Sequence, residues 1–158
     1  MTELTQGVVP PSLTESFADE RNQVFWDAAR EGRVVAPKCD RCGTFVLPAK
    51  PYCFNCLSED FTWVELPGTG KIYSFTVIRH PLMPKLKEVV PYVSGIVELD
   101  GTQGAGARLI GNITDCRPDD VDVDDPVEVA FDPVGENYAV LRFRWLGSVA
   151  SRAQPPES

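Results

Sequence analysis

The sequence predicts a mainly β protein with an N-terminal helix, in which a four-cysteine ribbon precedes a five-stranded barrel. Three observations carry this: two Cys-x-x-Cys pairs within residues 39–56, alternating apolar segments separated by turn residues after Pro67, and one amphipathic stretch ahead of both. At 158 residues the chain has room for one modest core shared among small units. Hydrophobic and charged fractions of 43% and 24% are those of an ordinary folded protein.

Residues 1–36 read as an arm and a helix. The first dozen residues, ending in Pro10-Pro11, carry no periodic signal and read as an extended arm whose conformation depends on a partner surface. From Thr14 to Arg30 the residues Phe17, Val24, Phe25 and Ala28 share a helical face, with Asp19 and Glu20 early and Arg30 late as the helix dipole prefers. Gly32 is a natural stop. The Phe25-Trp26 pair directs aromatic surface two ways, either into the rest of this chain or onto another subunit.

Residues 37–66 hold Cys39-Asp40-Arg41-Cys42-Gly43 and, ten residues on, Cys53-Phe54-Asn55-Cys56. Two residues between cysteines is the spacing at which a tight turn aims both thiolates at one point, and two such turns complete a tetrahedral site. Disulfides are the alternative, disfavoured in a reducing compartment. Zinc is the expected metal, although a mononuclear iron takes the same four thiolates. Four protein ligands close the coordination sphere, so the site is structural and organises an element too small to fold unaided.

Residues 67–147 read as the barrel. Strands are expected over Lys71–Arg79, Tyr92–Leu99 and Arg108–Ile113, around Val127, Val129 and Phe131, and over Ala139–Trp145, with a turn at Asp100-Gly101. Five short strands at this spacing suit a Greek-key barrel of OB-fold type. Between the third and fourth lie Asp115, Asp119, Asp120, Asp122, Asp124 and Asp125. They lack the Gly and Glu positions of an EF-hand loop and read as a solvated acidic connection. Residues 148–158 have no bulky apolar anchor and read as a disordered tail.

The 15 Lys and Arg against 23 Asp and Glu give a formal charge of −8, the wrong sign for a chain drawing affinity from phosphate backbones, so no nucleic acid is expected. His80, the one histidine, leaves little for acid–base catalysis, and no catalytic residue is assigned. Cys116 stands apart from the ribbon with no activating base and reads as inert. The N-terminus has no secretory pattern and no apolar run is long enough to span a bilayer, so a cytoplasmic protein without membrane contact is expected.

The order of a helix with Phe25-Trp26, Cys39-x-x-Cys42-Gly43, Pro48, Cys53-x-x-Cys56, Trp63, Gly68-Thr69-Gly70-Lys71-Ile72-Tyr73-Ser74 and Pro91-Tyr92 resembles the zinc-ribbon (rubredoxin-like)/OB-fold family associated with acyl-CoA metabolism. The resemblance covers about residues 15–147 and implies an accessory subunit of a thiolase-superfamily enzyme, or of a hydratase with the hot-dog fold. Such a subunit helps bind acyl-CoA while the partner performs the chemistry. One branch serves steroid side-chain cleavage by a retro-aldol lyase, and another serves thiolases and synthases. Coenzyme A is a polyanion with an apolar end, so its binder needs local positive charge beside an apolar groove. The segment Arg79-His80-Pro81-Leu82-Met83-Pro84-Lys85-Leu86-Lys87 offers that mixture, and Lys71 is a further candidate. Phe25 and Trp26 are the candidate interface residues. Trp63, Trp145, Tyr73 and Phe75 add aromatic surface that thin units cannot wholly bury, so part of it is expected to face a partner. The competing function is a zinc-ribbon/OB nucleic-acid-binding module.

Overall fold

The computed structural model describes residues 6–11, 20–102, 106–134 and 138–149. Helix α1 spans Gln23–Arg30 and buries Phe25, Ala28 and Ala29. It begins later than the expected start at Thr14: residues 20–22 form a turn, and 12–19 lie outside the described residues. No acid occupies its first turn, contrary to the dipole expectation. The entry is set instead by Asn22, whose Oδ1 accepts the Ala49 N–H at 3.0 Å and ties the helix to the ribbon. The end follows the prediction. Gly32 takes φ +75°, its N–H donates to Ala29 O at 3.0 Å, and the Arg33 N–H donates to Ala28 O at 2.9 Å.

A two-stranded antiparallel hairpin frames the ribbon, with β1 (Val34–Cys39) against β2 (Phe61–Leu66), Val34 opposite Leu66 and Cys39 opposite Phe61. Neither strand is visible as alternation, because β1 is buried along almost its whole length and contains Pro37. The proline is tolerated because β1 pairs as a ladder on one side only. On the other side lie a bridge from Lys38 to Phe45 and the Val46 N–H donating to Pro37 O at 2.9 Å.

The five expected barrel strands are β3 (Thr69–Ile78), β4 (Tyr92–Leu99), β5 (Arg108–Thr114), β6 (Pro126–Val134) and β7 (Tyr138–Trp145). They close in the order β3-β4-β5-β7-β6, with β5 and β7 parallel and the other pairs antiparallel. This is an OB-fold barrel. Phe143, Ile72, Val97 and Val127 are fully buried inside it. Gly111 makes room for the Phe143 ring, which a Cβ would approach to 2.9 Å. Val34, Ala36, Phe45 and Leu66 of the ribbon belong to the same cluster, so ribbon base and barrel share one core. Among the described residues no helix is long and apolar enough to cross a membrane.

Two sequence expectations change. The acidic connection is not wholly solvated, because Asp125 is buried. Its carboxylate accepts the Trp145 indole N–H at 2.8 Å and the backbone N–H groups of Asp122 and Val149 at 2.9 and 3.0 Å. Burial alone would raise the Asp125 pKa, but these bonds and one from Ser148 together hold it below the usual carboxylate value. The arm, in turn, rests on this chain's own barrel. Asn112 Oδ1 accepts the Val9 N–H at 3.0 Å, Asn112 Nδ2 donates to Gly7 O at 3.1 Å, and buried Arg142 donates to Val9 O. Arg142 also bonds Asn112 Oδ1 at 3.0 Å and pairs with Asp132, so its buried charge is compensated. Most of the tail expected over 148–158 lies outside the described residues.

Candidate functional site

The ribbon's two knuckles are built alike. In the first, the Gly43 N–H donates to Cys39 O at 2.9 Å and the Cys39 N–H to Thr44 O at 2.9 Å. In the second, the Leu57 N–H donates to Cys53 O at 2.9 Å and the Cys53 N–H to Ser58 O at 2.8 Å. Both turns end with a left-handed residue, Gly43 at φ +73° and Leu57 at φ +60°. The turns bring the Sγ atoms of Cys39, Cys42, Cys53 and Cys56 within 4.8 Å of one another, with Cys39 to Cys56 and Cys42 to Cys53 both 3.5 Å.

Sulfurs around a tetrahedral zinc with bonds of about 2.3 Å lie about 3.8 Å apart, so the four cysteines fit such an ion. Their chemistry favours one as well. Thiolates this close repel unless a cation neutralises them, and the cluster is already divided. The side-chain and backbone hydrogen bonds of Thr44 bring Cys42 down to about 5. Cys56 is pushed up to about 12: the Ser58 backbone hydrogen bond favours its thiolate, but burial and the thiols of Cys42, Cys39 and Cys53 outweigh it. The set is that of a structural zinc or mononuclear iron, with no position left for substrate.

The other candidate residues are not gathered into one site. Lys71 lies near the start of β3, about 26 Å along the strand from Arg79 at the usual rise. It sits 3.7 Å from Asp124. Arg79, His80, Lys85 and Lys87 are exposed on the β3–β4 loop, where Arg79 is held at 2.6 Å by Asp119. Phe25 is buried in its own chain, while Trp26, edge-on to it at 5.1 Å, is half-buried. Trp26 lines an apolar groove of about 220 Å³ with Leu47, Pro48, Leu109, Ile110 and Leu141. The groove continues toward Val9, Tyr92 and Arg142, sharing Trp26, Ile110 and Leu141 with the next hollow. Tyr73 is half-exposed beneath the Arg108 guanidinium at 3.8 Å, whereas Phe75 and Trp145 pack against the core. Cys116 is half-buried, and burial followed by the charges of Asp115 and Asp120 pushes it up to about 11, which keeps it a thiol. Sequence reading missed the Asn112–Arg142 pair, because a lone Asn and a lone Arg on separate strands carry no local pattern.

Two family models cover most of the chain: a ChsH2 rubredoxin-like zinc ribbon domain matches residues 26–62, and a ChsH2 C-terminal OB-fold domain matches residues 63–132. The chain belongs to the ChsH2 zinc-ribbon and OB-fold family. A solved ChsH2 chain, from a structure titled "Ltp2-ChsH2(DUF35) aldolase", is similar at TM-score 0.69 and 31% identity, over 83% of this chain and 98% of that one. A probable enoyl-CoA hydratase alpha subunit of Thermomonospora curvata is 37% identical over 75% of this chain. This ChsH2-family chain spans only 35% of that relative's length. The benzoylsuccinyl-CoA thiolase subunit BbsA of Geobacter metallireducens is 30% identical over 68% of this chain and 70% of its own.

Proposed function

We propose that this chain is an accessory subunit of a thiolase-superfamily enzyme, an acyl-CoA aldolase or a thiolase, and that it helps bind the acyl-CoA while its partner performs the chemistry. The observation that carries the reading is the likeness over 98% of a ChsH2 chain solved in an aldolase structure. The metal, zinc, is held by Cys39, Cys42, Cys53 and Cys56 and stiffens the ribbon. The groove beside Trp26 and Leu141 takes apolar surface of the acyl-pantetheine arm or of the partner, and the β3–β4 loop meets the nucleotide end, with Lys85 and Lys87 supplying positive charge beside His80 and the Asp119-paired Arg79. Retro-aldol cleavage in steroid or lipid catabolism is the favoured reaction of the pair. No described residue has the neighbours of a general acid or nucleophile beside this groove, which supports leaving the chemistry to the other chain.

The test is reconstitution. The thiolase-superfamily chain that co-purifies with this one is expected to turn over acyl-CoA only when both are present, and full activity of that chain alone overturns the reading. The nucleic-acid alternative draws on the stacking of Arg108 over Tyr73 on the outer barrel face. Arg108 is, however, paired with Glu98 at 2.7 Å, which removes its charge from that face. Steeply salt-dependent binding of single strands would favour it over the accessory role.

A further inference from the structure

The two knuckles do the same work for the metal but have opposite surfaces. Superposing Cys39 on Cys53 and Cys42 on Cys56 aligns Lys38 with Tyr52, Asp40 with Phe54, Arg41 with Asn55 and Gly43 with Leu57. The first knuckle presents exposed charge, as a solvated turn should. The second exposes Tyr52 by 51%, Phe54 by 65% and Leu57 by 73%, and none of the three belongs to a core cluster. Leu57 is the more telling, because it holds a left-handed conformation that disfavours branched residues and that Gly43 adopts freely at the matching position. Neither metal binding nor packing within the described chain accounts for a strained, exposed leucine there.

We propose that the second knuckle is a docking tip whose Tyr52, Phe54 and Leu57 insert into a concave apolar pocket, rimmed by Lys or Arg, on the partner enzyme. This rests on the accessory-subunit reading and names the surface that makes the contact. The tip is convex and stiffened by the metal cage, so a concave surface covers it. Glu59 and Asp60 follow the tip and Lys50 precedes it, all exposed and without an ion pair among the described residues, so the charge beside the tip is net negative and sets the sign of the rim. The same acids disfavour a second copy of this chain, which would set them against each other across a two-fold contact, and an anionic lipid surface. The surface next to the tip is mixed, since Pro51 and Glu59 line a hollow with Val24, Phe61 and Trp63 but also with Arg21 and Lys50.

Leu57→Gly and Phe54→Asp give the second knuckle the residues of the first. Both variants are expected to keep the metal, and Leu57→Gly to melt as high as the parent or higher, because it relieves the left-handed strain. Both are expected to bind the co-purifying thiolase-superfamily chain at least tenfold more weakly by calorimetry, while Arg41→Ala on the first knuckle stays within twofold of the parent. Unchanged affinity in Leu57→Gly and Phe54→Asp overturns the docking tip and leaves the accessory role standing. Failure of the parent chain itself to bind overturns both. Phe54-dependent sedimentation with phosphatidylcholine vesicles, or a Phe54-dependent dimer in the ultracentrifuge, overturns the protein partner as occupant.

Discussion

The barrel keeps Phe143, Ile72, Val97 and Val127 wholly out of water, whereas the apolar cluster of the outer ribbon buries only Cys39, Val46 and Cys53 beside half-buried Cys56 and Phe61. The first is an apolar core like that of any small domain. The second is built around the cysteine cluster that fits a metal, and two of its three buried apolar side chains belong to that cluster. Between them lies the ribbon base, where Val34, Ala36, Phe45 and Leu66 join the barrel cluster. A single chain thus changes its means of support within the length of β1, from burial at Val34 to coordination at Cys39. Units too thin to bury enough apolar surface hold together when a metal replaces the missing core.

Removing the metal should separate these regions most sharply. Structural zinc contributes about 10–16 kcal/mol of apparent binding energy in isolated fingers. A strong chelator at neutral pH is therefore expected to abolish amide protection over residues 39–61 while β3 to β7 stay protected in hydrogen exchange. Loss of protection across the whole barrel would show that the shared ribbon base couples the two regions into one cooperative unit. Phe143→Ala should act the opposite way. It removes a fully buried ring that packs on Gly111, with an expected cost of about 3–5 kcal/mol in denaturant unfolding, and leaves metal stoichiometry unchanged.

Acid should take the regions apart in order. Metal affinity falls as protons compete for thiolates, and that competition begins below about 8.5. Asp125 acts later. Its folded pKa is depressed, so its contribution is fully present above the unfolded value of about 3.9 and is lost as the pH falls through the folded one. Metal release is expected first, followed by loss of the near-ultraviolet signal of Trp145. Asp125→Asn, which sets an amide against three N–H donors, should cost about 1–3 kcal/mol and remove the second step. The smallest effect belongs to the exposed pair of Arg79 and Asp119. Arg79→Ala is expected to leave the melting temperature where it was, so a weaker response to acyl-CoA in that variant would report binding rather than folding.

Some of this was written in local patterns. Two Cys-x-x-Cys pairs read as a cage because a knuckle is a single turn, and the side chains it aims are its own neighbours. Alternation exposed β3, β6 and β7 because each has one face toward the barrel interior, and β4 and β5 showed as strands separated by turn signals. The same reading failed at β1, buried on nearly every side, and at the start of α1, where Asn22 answers to Ala49 rather than to its own helix. It also placed Phe25 and Trp26 together as interface candidates, and both line the groove, Phe25 buried and Trp26 half-buried.

By itself, the sequence determined the four-cysteine ribbon, the order of the strands and the acidic balance, all of which depend on residue type and short spacing. Tertiary structure decided which distant groups meet. Asn112 and Arg142 hold the backbone of Gly7 and Val9 across more than a hundred residues of chain. Ribbon and barrel share a core, and Lys71 stands at the far end of β3 from Arg79. Closing a barrel sets these pairings through strand register and shear, which no single segment encodes.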